Sequence, residues 1–325
     1  MRVVFMGSPE FAVPCLRALA DSHEVVLVVS QPDKPAGRGS QLTAPPVKVA
    51  ALELGLPVIQ PRSAKTGELR DALVATGAEL AVVVAYGKIL PPAVLEALPR
   101  GCINVHASIL PRYRGAAPVQ WAVIHGDAET GVAIMQLDPG MDTGPVLLER
   151  RITIDPTETS GELLARLAPI GAQAMLDAIA GLAAETLHPV AQDHAAATHA
   201  PMLEKTDGLI DFTAPAHAVA ARIRGVDPWP GAQALHRSQI VKLFRATARP
   251  QPPGAELPGT VIAIDDAGLH VVCGEDVAVI REIQAPGRKR LTVAQFAAGR
   301  GIAVGDVLSR PAETAPAPVA GKPPA

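Results

Sequence analysis

An amide, an imidazole and a carboxylate lie close enough along this chain to share one reaction. In the run Cys102 to His106, Ile103 and Val105 alternate with Asn104 and His106, so a strand there places the two polar side chains on one face at its C-terminal end. Asp142 follows in the loop DPGMDTG, where Gly140 and Gly144 permit a tight backbone path that returns a carboxylate to the same edge. The set suits acyl-type transfer. Asn104 can donate to a developing oxyanion, His106 can assist that charge or handle a proton, and Asp142 can fix or tune the imidazole. Each residue also has a plainer use: a strand-end His is more often structural or solvated, an Asn caps or turns, and an Asp between glycines forms a turn. What distinguishes these three is their coincidence at one edge. Ser108 is followed by Ile109-Leu110-Pro111 and lacks a GxSxG frame, which favours direct transfer over a covalent intermediate.

The elements that would position them read as alternating strands and helices. Strands are expected at Arg2 to Met6, His23 to Val29, Pro57 to Ile59, Leu80 to Ala85 and Cys102 to His106. Helical periodicity falls between them, at Phe11 to Leu19, Pro46 to Leu54, around Glu68 to Thr76 and at Pro92 to Leu98. Such strands, apolar on both faces, predict a doubly wound, mostly parallel Rossmann-like sheet, whose carboxyl edge is where ligands bind. After a helix at Pro118 to His125, strands at Thr130 to Leu137 and Val146 to Ile154 flank the Asp142 loop, and a long helix spans about Ser160 to Leu182. Beyond a helical stretch at Pro215 to Arg224, short alternating segments suggest a small antiparallel barrel. The expected organisation is a catalytic domain at 1–187, a linker at 188–207, a second domain at 208–310 and a disordered Pro/Ala-rich tail at 311–325.

Composition narrows the class. At 325 residues two domains are the expectation, with aliphatic cores because aromatic residues make up only 3%. Cys15, Cys102 and Cys273 lie far apart with no metal-ligand spacing, so they read as reduced thiols and no metal is expected. The apolar run at the N-terminus is too short for a signal sequence, and no later run is expected to approach membrane length, so a cytoplasmic protein with no membrane partner is the reading. Charge is uneven: residues 1–207 carry 16 Lys and Arg against 22 Asp and Glu, whereas residues 208–310 carry 12 against 9. The second half is the basic one.

The string NVHASILPRYRGAAPVQWA, with DPGMDTG after it, resembles the 10-formyltetrahydrofolate-dependent formyltransferase family, whose signature is N-x-H-x-S-L-L-P-x-x-x-G with a later Asp in a G-x-D-T-G loop. Ile109 replaces the usual Leu, a volume-conserving change. The resemblance implies that Asn104, His106 and Asp142 are catalytic and that Ser108, Ile109, Leu110 and Pro111 contact the folate. It also implies that main-chain groups of AYGKIL, with Tyr86, Gly87, Ile89 and Leu90, read the pterin. It extends over residues 2–309, through GSPEFAVPCL, ARIRGVDPWPGA and IQAPGRKRLTVAQFAAG, to family members whose second domain is an OB-like barrel that binds tRNA. The acceptor so implied is the α-amino group of methionine on initiator tRNA, formylated for translation initiation, and a monomer is expected.

On the RNA side, QPDKPAGRGSQLTAPPVK is long for a strand-to-helix connection. The resemblance implies that this loop enters the acceptor end of the tRNA, with Arg38 as the matching basic residue and Lys34 beside it. Arg288, Lys289 and Arg290 are candidates for phosphate contacts in the second domain, although any one of them alone reads first as solvated surface. Trp229, between Pro228 and Pro230, is expected to pack at the barrel mouth rather than to stack on a base. Competing readings are formylation of a sugar-nucleotide amine, hydrolysis of the folate to formate, and a non-catalytic RNA-binding protein. A nicotinamide-dependent dehydrogenase is disfavoured because GSPEFA is not GxGxxG.

Overall fold

The structure, a computed structural model, describes residues 1–36, 41–251 and 254–312. Its contacts divide the chain into two compact units. The first comprises Met1–Ala122, Asp127–Asp155 and Ser160–Met202, and the second Val123–Gly126, Pro156–Thr159 and the chain from Leu203 onward.

The first unit is built on a seven-stranded sheet. Its strands in chain order are β1 (Arg2–Gly7), β2 (Glu24–Val29), β3 (Val58–Ile59), β4 (Leu80–Val84), β5 (Cys102–His106), β6 (Glu129–Gln136) and β7 (Val146–Thr153). They lie in the order β7-β6-β5-β4-β1-β2-β3. The five strands from β5 to β3 pair in parallel, while β6 runs antiparallel to β5 and β7 antiparallel to β6. The antiparallel pairing of β7 on β6 has a simple cause, since the short DPGMDTG connection between them is a hairpin and cannot span a parallel crossover. From β1 the chain winds outward to β2 and β3, then returns to the other side of β1 as β4. That reversal leaves a crevice between the ends of β1 and β4, where open α/β sheets take ligands.

Helices cover both faces. On one, α1 (Glu68–Ala75) and α2 (Pro92–Leu95) contribute Leu69, Leu73, Val94 and Leu95 to a core with Val4, Met6, Val83, Tyr86 and Cys102. On the other, α3 (Ser160–Ala183) packs along β6 and β7, and its Gly171 leaves room for Val105. This helix corrects the expectation that no apolar run reaches membrane length: it is long and apolar enough to span a bilayer, and half of that window is buried within the protein. Leu163, Leu167, Ala174 and Met175 carry that burial, so its apolarity is accounted for by its place on the sheet.

Residues 188–202, read from the sequence as linker, pack with the first unit. Val190 bridges to Val146, and His199–Ala200 pairs with Arg114–Gly115. The contacts are two-residue pairings and single side chains, which leave no periodic pattern to read.

In the second unit, strands β8 (Ala232–His236), β9 (Gln239–Arg249), β10 (Val261–Asp265), β11 (Gly268–Val272), β12 (Val277–Gln284), β13 (Leu291–Thr292) and β14 (Leu308–Ser309) pair antiparallel in the order β10-β11-β12-β9-β8-β14, with β13 on β12. An antiparallel bridge between Thr260 and Val307 joins the two ends of that order, closing a small barrel. Leu243, Ala246, Val261, Leu269, Val271, Ile280 and Ile283 fill it. Trp229 departs from its expected packing role, with 51% of its surface exposed.

Candidate active site

Asn104 and His106 sit where the alternation in β5 places them, on the face they share with Cys102 and at 9% and 5% exposure. Asn104 faces Val83 of β4 on one side and Met135 of β6 on the other. Among the described residues its amide has no hydrogen-bond partner, although it is not fully sealed from solvent. A largely buried amide without a protein partner costs stability, and a ligand that completes it is the economical explanation. Cys102 offers no competing nucleophile, because burial pushes its thiol up to about 12.

His106 is gripped from one side. Its Nε2 lies 3.0 Å from the carbonyl of Tyr113, an acceptor, so Nε2 carries a proton there. Its Nδ1 lies 3.7 Å from Asp142 Oδ1, beyond hydrogen-bond reach. When both ring nitrogens are protonated each faces an acceptor, and the Nδ1 proton is the one left to share with a third party. Asp142 itself stands at φ 53°, a left-handed conformation that Asp tolerates better than most residues. The Gly115 N–H donates to its Oδ2 at 2.8 Å, so Oδ1 is the oxygen turned to His106. The trio expected from sequence therefore converges at the carboxyl end of β5, across a pair that is close but open.

The segment after β5 is held firmly. Ser108 Oγ donates to the Arg112 carbonyl at 2.6 Å, and the Tyr113 hydroxyl donates to Asp127 at 2.8 Å. Burial, then Asp127, pushes the Tyr113 phenol up to about 12, so it stays a donor. Leu110 is buried against Ala133 and Met135, and Ile109 lies over Gly131 of β6. Side chains 108–110 thus brace the segment from within the protein, and Pro111 is half-buried.

The Tyr86 to Leu90 stretch lies at the crevice between β1 and β4. Ala85 and Gly87 have φ of 48° and 78° and are exposed, bending the backbone outward, while Ile89 is 69% exposed. The Tyr86 ring and Leu90 turn into the core instead, and the Tyr86 hydroxyl finds no partner there. Gln31 Nε2 donates to the Tyr86 carbonyl at 3.0 Å, and Lys88 donates to the carbonyls of Pro61 and Arg62. Burial, and next the charge of Lys34, holds the Lys88 ammonium below its usual range.

Of the residues expected to meet RNA, Lys34, Arg288, Lys289 and Arg290 are exposed. Arg290 is not at liberty: it pairs with Asp227 at 3.1 Å and Glu282 at 3.4 Å, and its guanidinium lies 3.5 Å from the centroid of the Phe244 ring. Arg38 lies outside the described residues, as does the tail beyond residue 312. Among the described residues no cluster of three or more His, Cys, Asp or Glu forms a metal site. Sequence reasoning missed Arg114 and Gln192, both buried beside Asp142; Arg114 stood inside the recognised motif without a role, and Gln192 stood in the aperiodic stretch without any signal.

Comparison with known proteins bears on this geometry. Residues 1–179 match the formyl transferase family and residues 202–301 match the formyl transferase C-terminal domain. A methionyl-tRNA formyltransferase from Desulfotalea psychrophila is 50% identical over 95% of both chains. Another, from Sorangium cellulosum, is 47% identical over 95% of this chain and all of the relative. An N-formyltransferase of Helicobacter canadensis, solved with folinic acid and dTDP-3-aminofucose, shares the fold at TM-score 0.66 and 16% identity, over 87% of this chain and 98% of that one. With a family model spanning more than half its length and relatives matched nearly end to end, the chain belongs to the formyl transferase family, alongside its methionyl-tRNA formyltransferases.

Proposed function

We propose that this chain transfers the formyl group of 10-formyltetrahydrofolate to the α-amino group of methionine carried by initiator tRNA, as a monomer in the cytoplasm. The observation that carries the chemistry is the unpartnered amide of Asn104 beside the open His106–Asp142 pair. The tRNA acceptor is carried over from the relatives, and the exposed cations Lys34, Arg288 and Lys289 accord with it.

The folate fits the crevice between β1 and β4. Ala85 and Gly87 are exposed, offering backbone to an edge-on heterocycle, and Ile89 offers apolar surface to its ring. In the reaction the neutral amine attacks the formyl carbon. An α-amino group has a reference pKa of about 7.7–8.0, so a useful neutral fraction exists near pH 7 without a strong base. As the tetrahedral oxyanion forms with His106 carrying both ring protons, the Asn104 amide and the His106 Nδ1 proton stabilise it. Asp142 Oδ1, the carboxylate oxygen not held by Gly115, takes the proton that the amine sheds. His106 Nδ1 gives its proton to N10 as the carbon–nitrogen bond breaks, and the proton on Asp142 restores it. Water exclusion at the buried end of β5 keeps the formyl group from hydrolysis. The second domain, 208–310, serves as the tRNA-binding domain.

The test is transfer of labelled formyl to charged initiator tRNA, with elongator methionyl-tRNA and an amino sugar nucleotide as parallel acceptors. Selective labelling of the initiator is expected. Labelled sugar, or folate consumed with no labelled tRNA, would overturn the tRNA assignment while keeping the formyl chemistry.

A further inference from the structure

We propose that Gln192 is a positioning residue for formyl transfer, acting through Asp142; this rests on the reading that Asn104, His106 and Asp142 carry the reaction. Gln192 is 9% exposed and makes four side-chain hydrogen bonds. Its Oε1 accepts from Arg114 Nε at 3.1 Å and Nη2 at 2.7 Å. Its Nε2 donates to the carbonyls of Asp142 at 2.9 Å and Gly144 at 2.6 Å. A guanidinium can only donate, so Arg114 dictates which end of the amide faces it and commits the NH2 group to the loop carbonyls.

The result is a closed ring. Arg114 holds Gln192, Gln192 holds the backbone of Asp142, and the Asp142 carboxylate accepts from Gly115, which is covalently next to Arg114. The preceding residue, Tyr113, supplies the carbonyl that holds His106. One short segment and one amide therefore set the 3.7 Å gap between His106 and Asp142, and they keep Asp142 in its left-handed conformation. Arg114 is itself 5% exposed, with His194 Nδ1 3.0 Å away as its other side-chain neighbour, so little water is at hand to replace a lost bond.

Gln192→Glu keeps the shape and the contact to Arg114 but sets an acceptor against two carbonyls. We expect kcat to fall about 30-fold, as displacing a reacting group by about 1 Å can cost on the order of 100-fold, with KM for both substrates within about threefold of wild type. In an Asp142→Asn background the same change should cost less than about threefold, because a residue acting through Asp142 has nothing left to position. Gln192→Met, which removes the donors without burying a charge, carries the same test if the glutamate variant does not fold. Equal losses in the two backgrounds, or wild-type kcat in the Gln192 variants, would overturn the inference. If Asp142→Asn alone retains near-wild-type turnover, the underlying reading fails instead, and the two failures are told apart by that control.

Discussion

His106, His236 and His270 each stand beside an aspartate, and they are not alike. In the barrel, His236 Nε2 lies 3.0 Å from Asp306 and His270 Nε2 lies 2.9 Å from Asp265, both within ordinary hydrogen-bond distance. At the end of β5 the gap is 3.7 Å, and the neighbouring Asn104 amide has no partner among the described residues. All three imidazoles are similarly buried, at 4–6% exposure, so burial does not separate them. Distance to the carboxylate does. Each barrel imidazole is closed onto its aspartate by a hydrogen bond, whereas the pair at the sheet edge is held apart by its surroundings and retains valence for a substrate.

The strongest way to break that contrast is at Asn104. Removal of one oxyanion donor costs on the order of 2.7–4 kcal/mol of barrier, so Asn104→Ala should lose about two to three orders of magnitude in kcat with little change in melting temperature. Single-turnover formylation is the measurement, and an Asn104→Ala enzyme within tenfold of wild type would refute the assignment. The barrel should answer in reverse. Asp306 accepts from His236, from Arg237 and from the Ala303 N–H, so Asp306→Ala strands a buried imidazole and a backbone donor. We expect a loss of about 2–4 kcal/mol in unfolding free energy and a kcat within twofold of wild type, read by denaturant titration and the same assay.

Acid sharpens the comparison further. Burial on its own would raise the Asp306 carboxyl, but hydrogen bonds from Arg237, Ala303 and His236 bring it below its ordinary value; at Asp265 the bond from His270 is the leading cause of a lowering. A carboxyl depressed in the folded state stabilises it fully above the unfolded value of about 3.9, and that contribution is lost as pH falls through the folded value. Melting temperature should therefore drop below about pH 4. In Asp306→Asn the slope should be shallower, and identical slopes would mean that this carboxylate is not linked to stability.

How much of this was legible in the sequence depends on whether a residue acts through a local pattern. Alternation in Cys102 to His106 was enough to put Asn104 and His106 on one face, and the Gly-flanked loop was enough to bring Asp142 back to it, because period and turn chemistry are written in neighbouring residues. The five longer barrel strands were equally readable, whereas Leu291–Thr292 and Leu308–Ser309 were not, being too short to carry a period. What could not be read was Gln192, which reaches Asp142 across fifty residues from a stretch with no periodicity, and Arg114, whose burial depends on that amide. The confinement of Arg290 escaped for the same reason, since its partner Asp227 is distant in sequence.

Arg290 also supplies the finest test, because it stands beside two residues of the same charge. All three are exposed, but Arg290 is also bound to Asp227 and Glu282 and stacked on Phe244. A cation already neutralised by two carboxylates releases few counterions when a phosphate approaches, so its removal should act on the barrel rather than on RNA. Arg288→Ala and Lys289→Ala should each raise KM for charged tRNA about two- to threefold and reduce the slope of log affinity against log salt by about 0.7–0.9, with the melting temperature unchanged. Arg290→Ala should lower the melting temperature and leave the salt slope alone, since what it loses is a cation–π contact and two partly shielded ion pairs. If the salt slope instead falls most in Arg290→Ala, the acidic partners exchange for phosphate on binding, and this side chain belongs with the open groups of the molecule rather than the saturated ones.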